Sequence, residues 1–210
     1  MRKNFVVRAA LVALLLLLWL AAGLLGGIEF APDIGLIRQL QLIRADAPGV
    51  TLAAIAVTQA GSAFGTLGGG LGVAAWLAWR REHWRAAILG ATVLFGRLVI
   101  DGMKLMIDRS RPSVDLHPVV THSSSFPSGH SGNSMIVFLS IALIAVPAAH
   151  RVAAVIVAVL ASLLVGVTRP YLGVHWPSDV IGGWSLGAAI AIIAWSVAES
   201  RGSGAAKQQH

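Results

Sequence analysis

The chain has 210 residues, 56% of them hydrophobic and only 12% charged, against roughly half apolar and a quarter charged in ordinary soluble domains. That balance excludes a water-soluble globule and makes lipid the expected solvent. The absence of Cys excludes a disulfide framework and thiolate metal sites, and the formal net charge of +7 comes without the basic patch interleaved with aromatics that a nucleic-acid surface needs.

Uncharged runs near the length of about 20 residues that crosses a bilayer recur along the chain. They predict six transmembrane helices, at 9–28, 52–79, 86–107, 128–147, 152–168 and 178–198. The expected fold is therefore an all-α, polytopic bundle, a single membrane-embedded domain over 1–210. The first run, Ala9 to Ile28, has no charge. A basic start before an apolar run also describes a cleaved signal peptide. The run is longer than a usual signal core and no clean small-x-small site is followed by a polar start, so retention is expected. From Glu29 to Val50, Leu and Ile alternate with Glu29, Asp33, Arg38, Arg44 and Asp46, the pattern of an amphipathic segment on the outer interface. Gly61, Gly65 and Gly69 on the second span, and Gly183 and Gly187 on the sixth, recur at intervals of four and predict close helix packing. Trp76, Trp79 and Trp84 bracket a boundary as an aromatic belt does. The polar tail, 200–210, is expected to be disordered.

An even number of spans puts both termini on one side. That side carries Arg2, Lys3, Arg8, Arg80, Arg81, Arg85, Arg151, Arg201 and Lys207, whereas the other carries Arg38, Arg44, Lys104, Arg109, Arg111 and Arg169. The positive-inside rule makes the termini cytoplasmic.

Three segments hold nearly all the polar chemistry: Lys104 to Pro112 (KLMIDRSRP), Pro127 to His130 (PSGH), and Arg169 to Asp179 (RPYLGVHWPSD). The six-span plan brings all three to the extracytoplasmic surface, although whole helices separate them. Taken alone, Lys104 and Arg111 read as snorkelling anchors, Ser128 as an ordinary N-cap, and His175 with Asp179 as a structural hydrogen bond. Together they offer three cations for a phosphate (Lys104, Arg111, Arg169) and a helix N-terminus at Ser128 and Gly129 that favours an anion. They also offer His175 within reach of Asp179, and an unpaired His130. Cations stabilise the equatorial oxygens in phosphoryl transfer. No His-Glu-x-x-His and no carboxylate cluster is present, so no metal or other cofactor is expected.

Lys, six residues, Arg-Pro; Pro-Ser-Gly-His; and Arg, five residues, His, three residues, Asp resembles the tripartite signature of the type-2 phosphatidic acid phosphatase superfamily. The signature covers 104–179, and the six-span plan extends the likeness to most of the chain. Thr168 stands where the family usually has Ser, and a hydroxyl is kept. The resemblance implies that Lys104, Arg111 and Arg169 bind the phosphoryl oxygens with help from Ser128 and the Gly129 N–H. It implies that His175 attacks phosphorus, Asp179 orients His175, and His130 protonates the leaving oxygen. It also implies a lipid-phosphate substrate at a bacterial inner membrane, first undecaprenyl diphosphate, with phosphatidate, phosphatidylglycerol phosphate and lipid A phosphate as alternatives. Soluble vanadium-dependent haloperoxidases share this pocket, and six spans argue against that branch. A lipid phosphotransferase is the nearer rival. A transporter is the distant one, its support being Arg97 and Asp101 inside the third span; an ion pair buttressing Lys104 explains those two more simply.

Overall fold

The structure, a computed structural model, describes residues 2–27, 29–112 and 123–207. Among the described residues there are helices and no strands: α1 (Arg2–Leu25), α2 (Ala31–Ala45), α3 (Pro48–Thr58), α4 (Ala63–Trp79), α5 (His83–Ile107), α6 (Gly129–Ser140), α7 (Arg151–Tyr171) and α8 (Pro177–Lys207). Four stretches are long and apolar enough to cross a membrane: Phe5–Leu25, His83–Ile107, Ala148–Tyr171 and Pro177–Ser200. The pair α2–α3, bent by 117°, would make a fifth, while α4 and α6 are apolar but shorter. The chain is thus an all-α, multi-pass membrane protein with four or five candidate spans.

The expected span 52–79 is interrupted. Its helix stops at Thr58, makes one 3₁₀ turn over Gln59–Gly61, and restarts at Ala63 beneath Ser62, whose hydroxyl accepts from the Gly65 N–H at 3.1 Å. Only glycine fits at the break. A Cβ at Gly61 would lie 2.4 Å from Val165 Cγ1 and 3.1 Å from the His130 carbonyl, and the turn stands where the backbone touches α6 and α7. Similarly, α6 continues after Ser140 only as a π turn over Ile141–Ala145. It ends because Pro147 disfavours helical backbone at the residue before it, and Val146 is extended.

Helix α6 is the centre of the bundle, packed by α4, α5, α7 and α8. It buries all but three of its twelve residues, which is why it carries no single apolar stripe. Helix α8 crosses it at Gly183 and Gly187, where a Cβ would come within 2.7 Å of the Ser128 carbonyl and 2.6 Å of the Gly132 carbonyl. Small residues let two backbones approach this closely in a membrane. The glycine pattern on the second span is realised differently from expectation. Gly65 meets the carbonyls of its own kink, Gly69 faces open space, and Gly70 is pressed against Val93.

Helix α1 runs along α8, with Arg8 Nη2 donating to Glu199 Oε2 at 2.6 Å. The expected interfacial segment 29–50 is divided between α2 and the start of α3; α2 buries Asp33 and Ile37, exposes Leu42 and Ile43, and donates from Arg44 Nη1 to the Leu172 carbonyl at 3.0 Å. Helix α8 continues through Ser200, where a disordered tail is expected, to Lys207; residues 208–210 lie outside the described residues.

Phe126, just before the Pro-Ser-Gly-His segment, is fully buried in a slot made by two glycines. A Cβ at Gly182 would lie 2.5 Å from its ring and one at Gly23 3.2 Å. Backbone on two sides cannot collapse into a vacated slot. Phe126→Ala is therefore expected to lower stability by about 3–5 kcal/mol, measured by unfolding of the purified protein in detergent.

Candidate active site

The three sequence segments meet at one end of the bundle through backbone contacts. Asp108 closes α5 in the left-handed conformation (φ 39°, ψ 47°), its N–H donating to the Lys104 carbonyl at 3.2 Å; Asp is among the few non-glycine residues that tolerate this region. The chain beyond it is pinned to the second segment by the Ser125 N–H, which donates to the Arg109 carbonyl at 2.7 Å. It is pinned to the third by Trp176 Nε1, which donates to the Ser110 carbonyl at 2.9 Å.

A cavity of about 260 Å³ lies between them, lined by Lys104, Arg111, Gly129, His130, Arg169 and His175, with Gly61 and Ala63 from the helix break. Six of the eight expected site residues therefore share one wall. The other two sit behind it. Ser128 is fully buried, its N–H donates to the Asp179 carbonyl at 2.9 Å, and its Oγ accepts from Ser131 Oγ at 3.0 Å. Asp179 is fully buried beneath His175.

The three cations are held by neutral acceptors. Lys104 Nζ donates to the Ser124 carbonyl at 2.7 Å, while Ser124 Oγ returns a bond to the Lys104 carbonyl at 2.6 Å. Arg111 Nε donates to the Ser123 carbonyl at 2.8 Å, and its Nη1 to the Val174 carbonyl. Arg169, 2% exposed, donates from Nη1 to Thr58 Oγ1 at 2.8 Å, and its buried Nε has no partner. No ion pair among the described residues includes any of the three. Ser128 makes no side-chain cap bond to α6, which leaves the first-turn N–H groups available to an anion.

His175 precedes α8, and Asp179 lies in the first turn of that helix. Asp179 Oδ2 accepts the Trp176 N–H at 2.9 Å, the N3-to-N-cap half of a capping box. The same oxygen accepts the Ser125 hydroxyl and stands 3.4 Å from His175 Nδ1. His175 Nε2 faces the opposite way, 3.2 Å from Arg111 Nη1. His130 makes no side-chain hydrogen bond among the described residues, and its ring lies on the cavity wall.

Sequence reasoning missed three participants. Ser125 touches both His175 Nδ1 and Asp179, but it stands in a run of serines with nothing to single it out. Arg109 donates from Nη1 to Asp179 Oδ1 at 2.8 Å; its place in the polar segment beside Arg111 was the available signal. Asp33, 1% exposed, accepts the Ser178 N–H at 3.0 Å and the Ser178 hydroxyl at 2.5 Å, a link of 145 residues that no local pattern carries. The Arg97–Asp101 pair forms at 2.6 Å, but its side chains are 31% and 47% exposed at the cavity edge rather than buried.

Burial, reinforced by Arg111, Lys104 and Arg169, holds His175 well below its ordinary pKa, so the ring is neutral at pH 7. Below about pH 6.5 the unfolded chain binds a proton that the folded chain refuses, and stability falls as pH falls, by roughly 1.4 kcal/mol per pH unit. Stability from unfolding measured between pH 7 and 5 is expected to fall less steeply with pH in His175→Asn than in the wild type. An unchanged slope in the variant would mean that this imidazole titrates normally.

The PAP2 superfamily model matches residues 85–203. Phosphatidylglycerophosphatase B of Bacillus subtilis is 41% identical over 115 residues, covering 51% of this chain and 55% of the relative. A lipid A 1-phosphatase of Rhizobium johnstonii is 37% identical over 114 residues, 50% of this chain and 44% of the relative. The matched segment thus spans about half the length of these curated relatives. Among solved structures, the first transmembrane PAP2 type phosphatidylglycerolphosphate phosphatase from Bacillus subtilis superposes with a TM-score of 0.81 at 28% identity, over 92% of this chain and 96% of that one. Aquifex aeolicus LpxE has the same fold, with a TM-score of 0.63 at 22% identity over 80% of this chain and 97% of that one. The family match takes in Arg111, Pro-Ser-Gly-His and the Arg-His-Asp segment that line or support the cavity, and the chain belongs to the PAP2 superfamily.

Proposed function

We propose that the protein is a membrane lipid phosphatase that works through a phosphohistidine on His175. The observation that carries this reading is an imidazole with one nitrogen 3.4 Å from a buried carboxylate and the other facing a cavity lined by Lys104, Arg111 and Arg169, none of which forms an ion pair among the described residues. His175 Nε2 attacks phosphorus as the bond from phosphorus to the lipid oxygen breaks. His130 gives its proton to that oxygen, and Lys104, Arg111 and Arg169, with the Gly129 N–H, hold the equatorial oxygens. Water then attacks phosphorus, the P–N bond breaks, inorganic phosphate leaves, and His130 takes up the proton. Ser128, fully buried, supports this wall from behind by tying the start of α6 to α8 through its N–H on the Asp179 carbonyl, a lesser part than direct phosphate binding. Asp179 orients the ring.

The reading includes one domain over 1–210 crossing an inner membrane six times, with α4 and α6 as its short spans, cytoplasmic termini, and the cavity at the outer surface. A reporter on the C-terminal tail is expected on the cytoplasmic side; one on the loop near Asp115, outside the described residues, is expected on the other.

For the substrate, the names of the Bacillus relatives support phosphatidylglycerol phosphate ahead of undecaprenyl diphosphate, and that of the Rhizobium relative keeps lipid A phosphate in view. A tailed phosphate suits a cavity at the ends of helices whose flanks face acyl chains, because the tail supplies binding energy a soluble ester lacks. His175→Ala is expected to abolish turnover, and His130→Ala to slow phosphoenzyme formation most for poor leaving groups; full activity in His175→Ala would sink the mechanism. A panel of phosphatidylglycerol phosphate, phosphatidate, lipid A and undecaprenyl diphosphate at matched surface concentration, compared by kcat/KM, is expected to rank the first highest.

A further inference from the structure

Resting on the phosphohistidine reading, we propose that Arg109 is a positioning residue for the reaction: it fixes Asp179, and through Asp179 the His175 ring, while touching neither the cavity nor the substrate.

The carboxylate of Asp179 divides its tasks between its two oxygens. Oδ2 serves the catalytic side, accepting from Trp176 N and Ser125 Oγ and facing His175 Nδ1. Oδ1 takes the charge of Arg109, at 2.8 Å from Nη1, in a pair whose side chains are 10% and 0% exposed. A carboxylate held at both oxygens cannot rotate about its own axis. That matters here because the contact to His175, at 3.4 Å, is already long, and a small rotation would end it.

The guanidinium is in turn immobilised from three directions. Its Nη2 donates to the Ala22 carbonyl at 3.1 Å and to the Gly23 carbonyl at 2.6 Å. These are last-turn acceptors of α1, where the negative end of the helix dipole favours a cation; the Ala22 carbonyl also accepts the Gly26 N–H at 3.2 Å. Nη1 also reaches Ser178 Oγ at 3.1 Å, and the guanidinium lies 4.5 Å over the Phe126 ring. Asp33 holds Ser178 through both its N–H and its hydroxyl, so the first turn of α8 is fixed independently of Arg109. Lys104, Arg111 and Arg169 line the cavity and Arg109 does not. It is the cation that neutralises the orienting carboxylate, leaving the others for phosphate.

A purely structural role, tying α1 to α8, makes a different prediction, and a double-mutant cycle separates the two. Wild type, Arg109→Gln, Arg109→Lys, Asp179→Asn and the two double variants would be purified in detergent and assayed on dioctanoyl phosphatidate in mixed micelles. Arg109→Gln is expected to lower kcat about 100-fold with KM changed less than about threefold. Arg109→Lys, which keeps a charge but loses the planar fork, is expected to lose about tenfold. In the Asp179→Asn background both losses should shrink to less than about threefold, because the group through which Arg109 acts no longer needs setting. Losses that persist undiminished in that background, or wild-type kcat in Arg109→Gln, would overturn the proposal. If Arg109→Gln does not fold, the Arg109→Lys pair decides by the same criterion, and an unchanged kcat in Arg109→Lys overturns it as well. Wild-type kcat in Asp179→Asn alone would likewise overturn the proposal, whereas wild-type kcat in His175→Ala would overturn the phosphohistidine reading, so the two failures are distinguishable.

Discussion

Three positive charges converge on a cavity of about 260 Å³, and nothing about like charges favours that. The fold meets this constraint with dipoles. Backbone carbonyls of Ser123, Ser124 and Val174 and the hydroxyl of Thr58 hold the cations by direction without cancelling their charge. A carboxylate in the same place would hold them more tightly, but it would compete with phosphate for the same charge. The residual mutual repulsion remains as an electrostatic preference for an anion, strengthened by the low dielectric around a partly buried site. The unpartnered Nε of Arg169 belongs to the same arrangement: a donor already stripped of water and left without a bond.

Those carbonyls must themselves be fixed, and this is the task of the second tier. The segment 123–125 is held by Ser125 on Arg109 and by Ser124 on Lys104. Val174 lies in the turn that α8 secures by capping its own start with Asp179 and accepting a second cap from Asp33. Phe126 wedges the Pro-Ser-Gly-His segment between α1 and α8. The contacts of α6 with α8 at Gly183 and Gly187 then set the depth at which the N-terminus of α6 meets the cavity. Local caps are joined by supports from far along the chain, such as Asp33 on Ser178, 145 residues away, so the site is a property of the bundle rather than of any segment.

This explains which parts could be read from sequence. Residue types and spacings within a segment are local, and they brought Lys104, Arg111, Gly129, His130, Arg169 and His175 to one wall. The all-helical, membrane-spanning character was equally legible, because apolar runs of bilayer length have few other readings. What lay beyond reach were relations across the chain. The interruption at Gln59–Gly61 sits in an apolar run and lies against Val165 and the His130 carbonyl, more than 60 residues away in sequence. Arg109 looks like one more anchor at a helix end until α1 supplies its carbonyls. Ser128 matches the signature motif, yet it is buried behind the wall because its N–H is taken by the Asp179 carbonyl. Spacing places a residue near a site without saying which side of the wall it faces.

The restart of the chain at Ala63 has a mechanical consequence. Helix α4 has 17 residues, a rise of about 25 Å, whereas the hydrocarbon of a bilayer is about 30 Å thick. In the proposed six-pass arrangement, lipid beside α4 must thin to match it, at a fraction of a kcal/mol per ångström. Gly61 and Ala63 stand at the end of α4 that borders the cavity. In that arrangement thinning at this end of α4 would bring head groups down toward the cations while their tails stay in the layer, and a stiffer or thicker membrane would oppose it.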